Sequence, residues 1–300
     1  MLSIVYHVLV LEIVKTAVAF GARPDISARS VVVTVFGDSV RPAGGSIWLS
    51  DLIGLIRPFG FSDRLLRTSI TRLTHEGWFA TERVGRQSRY RLTSFGETEF
   101  DAAESRIYRQ GAADWTGDWT LVFTGLIEDR EAAALVDKHL SSHGFRSIAP
   151  GVTATPGSHR SSVDEVADQL GVRSPVTALS RFEDVDAFLG SSGFVDRAGL
   201  PDVSRAYSEF IDRYETFDSK GPTPPEAAFL LQTMVVHDLR RTRLADPDLP
   251  AELLPERWAG AKAFELAGSI YRTTSGPTGD WLAHDADLVV DPTVLEARFA

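Results

Sequence analysis

Eleven side chains between Arg64 and Arg91 are of the types that grip a polyanion: Arg64, Arg67, Thr68, Thr71 and Arg72, then Arg83, Arg86, Gln87, Ser88, Arg89 and Arg91. A guanidinium presents its donors as a planar fork, which fits two oxygens of a phosphate or the two acceptors of a guanine edge. The chemistry these residues suit is nucleic-acid binding, one group facing base edges and the other the backbone. From Arg57 to Arg91 there are eight arginines against three acids, Asp63, Glu76 and Glu82. This local charge of +5 sits in a chain of −10, so the basic function is confined to one place.

Positioning these residues requires a helix followed by a hairpin. The segment SDRLLRTSITRLTHEG predicts a helix from Ser62 to His75, closed by Gly77. At 100° per residue, Leu66, Ile70 and Leu73 share one side, Leu65 borders it, and Arg64, Arg67, Thr68, Thr71 and His75 fall on the other. The runs WFATERV and SRYRLT, separated by Gly85, Arg86 and Gln87, predict a β-hairpin. Upstream, Ser27 is a candidate cap for a helix carrying Val31, Val32, Val35 and Phe36 at helical spacing. A β-like SIWL follows, then a second helix capped by Ser50 and Asp51 and ended by Pro58 and Gly60. Ser94 is expected to cap the helix that leads out. Two short helices, a longer one with a donor-rich face and a hairpin make a winged helix-turn-helix. The same residues also admit a plainer reading, a solvated basic hairpin beside an amphipathic helix.

Beyond this part the order changes. Residues 119–182 alternate as strand, helix, two strands around Pro150 and Gly151, helix and strand, the ferredoxin-like order. Asp202–Phe217 is a helix, a break follows at Gly221–Pro225, and the helix starting there is apolar on nearly every side from Ala227 to Val236, hence buried. The expected fold class is α+β: an extension (1–25), a winged-helix DNA-binding domain (26–112), a ferredoxin-like domain (113–183) and a mainly helical domain (184–300).

Several chemistries find no support. The chain has no cysteine, which removes disulfides and thiolate sites and suits a reducing cytoplasm. Leu2–Phe20 has the length of a membrane span but contains Glu12 and Lys15, so it reads as a packed or poorly ordered extension and no membrane partner is expected. His139 and His143 are spaced to share a metal, yet no third ligand is tied to them, and no metal or cofactor is expected. There is no G-x-S-x-G elbow, P-loop or dinucleotide fingerprint. Adjacent on one helix, His237 and Asp238 point about 100° apart and are not expected to pair as in a hydrolase. No catalytic residues are assigned and the protein is not expected to be an enzyme.

The chain resembles the PaaX family, repressors of phenylacetate catabolism. The resemblance is carried by residues 28–96, by RIYR (Arg106–Arg109), by DWTGDWTLVF (Asp114–Phe123) and by HDLRRTRLADPDLPAELLPERWAG (His237–Gly260). It implies a homodimeric repressor that binds double-stranded operator DNA, with a winged helix, a central Cas2-like ferredoxin domain and a C-terminal domain particular to the family. It further implies release from DNA by an aryl-CoA thioester, phenylacetyl-CoA in the best-known members. On that basis His237, Arg240, Arg241 and Trp258 are effector-site candidates: an arginine for the CoA phosphates, the tryptophan for the apolar end. The competing reading from another class is an acyl-CoA-binding protein or CoA-ester hydrolase whose basic hairpin is incidental.

Overall fold

The computed structural model describes residues 2–109, 115–217 and 223–299. The expected junction at 110–114 and the first two residues of the break at Gly221–Pro225 lie outside them. In chain order the first elements are α1 (Leu2–Gly21), α2 (Ala28–Val35), β1 (Ser46–Trp48), α3 (Leu49–Ile56), α4 (Asp63–His75), β2 (Phe79–Val84), β3 (Gln87–Leu92) and α5 (Ser94–Ile107). Then come β4 (Trp119–Val122), α6 (Arg130–Ser142), β5 (Arg146–Ala149), β6 (Val152–Pro156), α7 (Arg160–Leu170), β7 (Thr177–Ser180), α8 (Val185–Ser192) and α9 (Phe194–Arg197). The last are α10 (Leu200–Tyr214), α11 (Pro225–Ala245), α12 (Gly260–Ala286) and α13 (Pro292–Glu296).

Mixed helix with two small antiparallel sheets makes this an α+β chain. Its division is not into consecutive blocks. One compact unit comprises Met1–Gln110, Tyr207–Leu244 and Ala259–Ala300, the other Gly111–Ala206 and Ala245–Trp258. The physical reason lies in α11. Every residue from Ala227 to Leu239 is buried, and a helix apolar on all sides cannot be covered from one direction. Within the first unit it therefore lies among the N-terminal elements: Gln232 bonds Asp38 (2.8 Å), His237 contacts Ser30 (3.0 Å), and the His237 ring meets Phe20 edge-on.

The helical signals of the first unit resolve as follows. Ser27 caps α2 in a reciprocal box with Ser30, and α2 continues into a π-helical turn, Phe36–Val40. Val31, Val32, Val35 and Phe36 are all buried, and Phe36 stacks on Phe79 of β2 with centroids 4.4 Å apart. Ser50 and Asp51 do not cap α3: Trp48 occupies that position and both residues fall in the first turn. Ser94 likewise yields the cap of α5 to Thr93, whose hydroxyl accepts from the Gly96 N–H (3.0 Å). The N-terminal extension is helical and buries Ile13, Ala17 and Phe20 on one stripe.

In the second unit the strands run in the order β5-β6-β4-β7, each pair antiparallel. Trp119 of β4 is fully buried, its ring 5.0–5.8 Å from those of Trp115, Phe182, Phe188 and Phe194. Val122 of the same strand turns instead to Val136 and Leu140 of α6 and Val163 and Val166 of α7. No helix among the described residues is long and apolar enough to cross a membrane.

Candidate nucleic-acid interface

Ser62 caps α4, accepting from the Leu65 N–H (3.3 Å). Leu66, Ser69, Ile70 and Leu73 are buried, which anchors one side of the helix. Arg64, Arg67, Thr68, Thr71 and Arg72 are all exposed, and Leu65 stands among them 46% exposed, an apolar contact point on a polar face. The acids at the two ends of α4 are engaged elsewhere. Asp63 pairs with Arg57 (3.1 Å) and Glu76 with Arg29 (2.5 Å), whose guanidinium also lies over the Trp78 ring. The threonines differ from the donor role their type suggests: Thr68 and Thr71 donate to the carbonyls of Arg64 and Arg67 (2.9 Å each), so outward they offer acceptor oxygens.

The hairpin is tighter than its sequence implies. Val84 pairs with Gln87, leaving Gly85 and Arg86 as a two-residue turn with Gly85 at φ 62°. Such turns match strand twist only with positive φ at the first central position, which glycine adopts at no steric cost. Register divides the hairpin residues between two faces. Arg83 stands opposite Ser88 on the face shared with Tyr90 and Leu92, whereas Gln87, Arg89 and Arg91 alternate onto the other face with Glu82. Arg89 is held against β1, its guanidinium 5.6 Å from the Trp48 ring centroid. Thus the hairpin does not present its polar residues as one surface. Arg64, Arg67, Arg72, Arg83, Arg86 and Arg91 have no ion pair among the described residues.

The other candidate group separates. His237 is fully buried, and burial lowers its pKa, so the ring is neutral near pH 7. Its Nδ1 lies 3.7 Å from Asp238 Oδ1, nearer than their helical offset suggests but too far for a hydrogen bond. Asp238 accepts from Arg23 (2.8 Å), Arg213 (2.6 Å) and Tyr214 (2.9 Å). Burial alone would raise this carboxyl; the hydrogen bonds and charges of Arg23 and Arg213 outweigh it and hold it at about 2. Arg241 pairs with Asp25, so its charge is used within the fold. Among the described residues Arg240 has no carboxylate partner, its Nε is buried without a hydrogen bond, and burial lowers its pKa to about 10, which leaves it charged. Trp258 belongs to the second unit and packs against that unit's core beside Leu249 and Leu253. On α6, His139 and His143 each turn Nδ1 to a backbone carbonyl of the preceding turn.

A buried polar cluster escaped the sequence reading. Asp38, in the π-helical turn after α2, accepts from Tyr108 (2.7 Å), Gln232 (2.8 Å), Arg298 (2.8 Å) and Tyr271 (3.2 Å). Burial pushes both phenols well above their ordinary pKa, so they remain donors. Arg298 also reaches Glu104 (3.0 Å) and the carbonyl of Gly37. Nothing local in the sequence signals the cluster, because Arg298 lies 260 residues from Asp38.

Comparison with known proteins fits this arrangement. Residues 27–96 match the model of the PaaX-like protein family and residues 199–284 that of the PaaX-like C-terminal domain. The transcriptional repressor PaaX of Escherichia coli K12 is 34% identical over 257 residues, covering 82% of this chain and 80% of that protein. A solved structure of a protein from Mycobacterium tuberculosis superposes with a TM-score of 0.53 at 23% identity, over 84% of this chain and 98% of that one, and so shares the fold. The protein is thus of the transcription-regulator class and not an enzyme. The chain belongs to the PaaX family.

Proposed function

We propose that this protein is a homodimeric repressor of a phenylacetate-type catabolic operon, binding double-stranded operator DNA through a winged helix-turn-helix. In this reading α4 enters the major groove with Arg64, Arg67, Thr68, Thr71 and Arg72 toward the bases, while Arg83, Arg86, Gln87, Ser88, Arg89 and Arg91 hold phosphates. The observation that carries it is the set of six exposed arginines without ion pairs on α4 and the hairpin, beside acids already engaged by Arg57 and Arg29. A surface evolved only for solubility would intersperse carboxylates evenly among those arginines, whereas Glu82 is the one acid between Arg64 and Arg91 besides Glu76. The strand order β5-β6-β4-β7 supports a ferredoxin-like central part, for which we propose a dimerising role. Paired readers on a two-fold axis would recognise a palindromic site and combine two weak half-site affinities.

Release by an aryl-CoA thioester such as phenylacetyl-CoA is part of the same proposal. Arg240 remains the candidate with an uncommitted charge, while Arg241 is paired with Asp25 and Trp258 lies in the second unit's core. The test is fluorescence anisotropy with duplexes covering the DNA upstream of the protein's own gene, with and without phenylacetyl-CoA. Saturable binding lost on adding the thioester is expected. Absence of binding at low salt would refute the DNA reading, and binding indifferent to the thioester would refute the release.

A further inference from the structure

The exposed side chains of α4 are charged or hydroxyl-bearing with one exception, Leu65 in the first turn, which is 46% exposed. Packing does not require it there. Leu66, Ile70 and Leu73 are fully buried and already hold α4 against α2 and β2. The Ser62 hydroxyl accepts the Leu65 N–H (3.3 Å), which fixes Leu65 as the third helical residue, and in a recognition helix the N-terminal residues are those that reach base edges. Its side of the helix continues through Thr68 and Arg72, three and seven residues on, and both are exposed. A lone exposed leucine is ordinary on a protein surface. This one gains meaning from the residues that α4 lacks.

The four bases find unequal readers on this helix. Arg64, Arg67 and Arg72 carry forks that match the two acceptors of guanine. Asn and Gln, whose amides match adenine, do not occur in DRLLRTSITRLTH. Its one carboxylate, Asp63, is paired with Arg57 (3.1 Å) and so is engaged away from cytosine. Thr68 and Thr71 spend their hydroxyl protons on the carbonyls of Arg64 and Arg67, which leaves each a lone acceptor. A lone acceptor takes the amino group of adenine or of cytosine and does not tell them apart. An A·T pair has one more mark in the major groove, the thymine 5-methyl group, and an apolar side chain is what reads it.

We propose that Leu65 is a specificity-determining residue of this interface: it covers the 5-methyl group of one thymine in each half-site, beside guanines read by the arginines of α4. The inference rests on the DNA-binding reading above. The contact takes a methyl group and part of a leucine side chain out of water and involves neither charge nor hydrogen bond. It therefore adds discrimination between bases without adding to the grip on phosphates. Burying one methyl-sized group is worth about fourfold in affinity.

The test is anisotropy with the full chain and the upstream duplexes, each thymine replaced in turn by deoxyuridine, which removes one methyl group and leaves every hydrogen-bonding group in place. The native chain should lose about fourfold at one thymine per half-site. Leu65→Ala should bind the thymine duplex as weakly as the native chain binds its deoxyuridine counterpart, and should be indifferent to the replacement. Leu65→Met, which keeps an apolar side chain, should keep part of the preference. Val84→Ala truncates a comparably exposed apolar side chain beside the hairpin turn and should leave the preference whole. The log–log salt slope of Leu65→Ala should equal that of the native chain, since no phosphate contact is lost. Melting curves ensure that each variant is folded. Absence of any thymine whose methyl group matters, or a preference that survives in Leu65→Ala, would overturn the assignment. A flattened salt slope in that variant would also overturn it, because Leu65 would then act by holding the arginines in place. A native chain that binds none of the duplexes would overturn the DNA reading and this inference with it; one that binds them and ignores deoxyuridine would overturn this inference alone.

Discussion

Replacing Asp38 with alanine should cost more stability than any single change on the exposed face of α4. Asp38 is 3% exposed and the Arg298 side chain 5%, so neither charge can turn to water when the other is lost. Removing one partner of a buried pair costs about 3–5 kcal/mol, because the survivor is left uncompensated. Here Arg298 keeps Glu104 at 3.0 Å, while Tyr108, Gln232 and Tyr271 lose their common acceptor. The retained partner places the expectation near the lower end, about 3 kcal/mol, or roughly 6–12 °C in Tm for a cooperative unit of this size. Urea unfolding followed by circular dichroism measures it. Pairing the change with Arg298→Met isolates the cause: the double variant removes the orphaned charge and should lose clearly less than the sum of the single variants. A loss below about 1 kcal/mol for Asp38→Ala, or strictly additive losses, would refute the view that this carboxylate organises the cluster.

Other outcomes follow from the same contacts. Arg86→Ala, at the hairpin turn, should flatten the log–log salt dependence of DNA binding by about one unit with little effect on sequence preference; an unchanged slope removes Arg86 from the phosphate contacts. Asp238 titrates near 2 in the folded chain against 3.8 in the unfolded one, so its contribution of about 2 kcal/mol is complete above pH 4 and lost as pH falls through 2. The stability gap between the native chain and Asp238→Asn, measured by acid titration of unfolding, should therefore narrow between pH 4 and 2; a constant gap would refute the assignment. Arg240→Met should raise Tm, since it exchanges a half-buried guanidinium, whose Nε is buried without an acceptor, for an apolar side chain of similar length; a lowered Tm would show that the charge is compensated.

Local signals survived in the fold where a single period or a single cap decided the outcome. The two faces of α4, the Ser27 cap and the buried stripe of α2 depend only on residues within one or two turns, and the sequence pattern carried them. Caps proved less secure. Ser50 and Ser94 are good capping residues, but β1 pairs with β3 up to Trp48, and Thr93 reaches the Gly96 amide first. Which face each hairpin arginine takes was not legible, because a turn shorter by one residue reverses nothing in composition and yet fixes the register. The Asp38 cluster and the pairing of Arg241 with Asp25 were invisible for a different reason: each joins side chains from distant segments, and no periodicity links them.

Those long-range contacts alter how the elements that carry the exposed arginines should be understood. The order of helices and strands in residues 28–92 suggests a module that folds by itself, but its inner side is completed from elsewhere. Asp38 depends on Gln232, Tyr271 and Arg298 for three of its four side-chain donors, and Ser30 of α2 receives contacts from His237 and Arg240. A buried polar group satisfied from three separate segments specifies one arrangement of those segments and penalises any other. The helix that supports α4 is thereby bonded to the C-terminal helices through groups that cannot be left unpaired. A shift of α11 or α12 must then be met either by movement of α2 or by breaking buried hydrogen bonds, and movement costs less. That constraint makes the C-terminal helices of the first unit part of the frame that sets the position of α4.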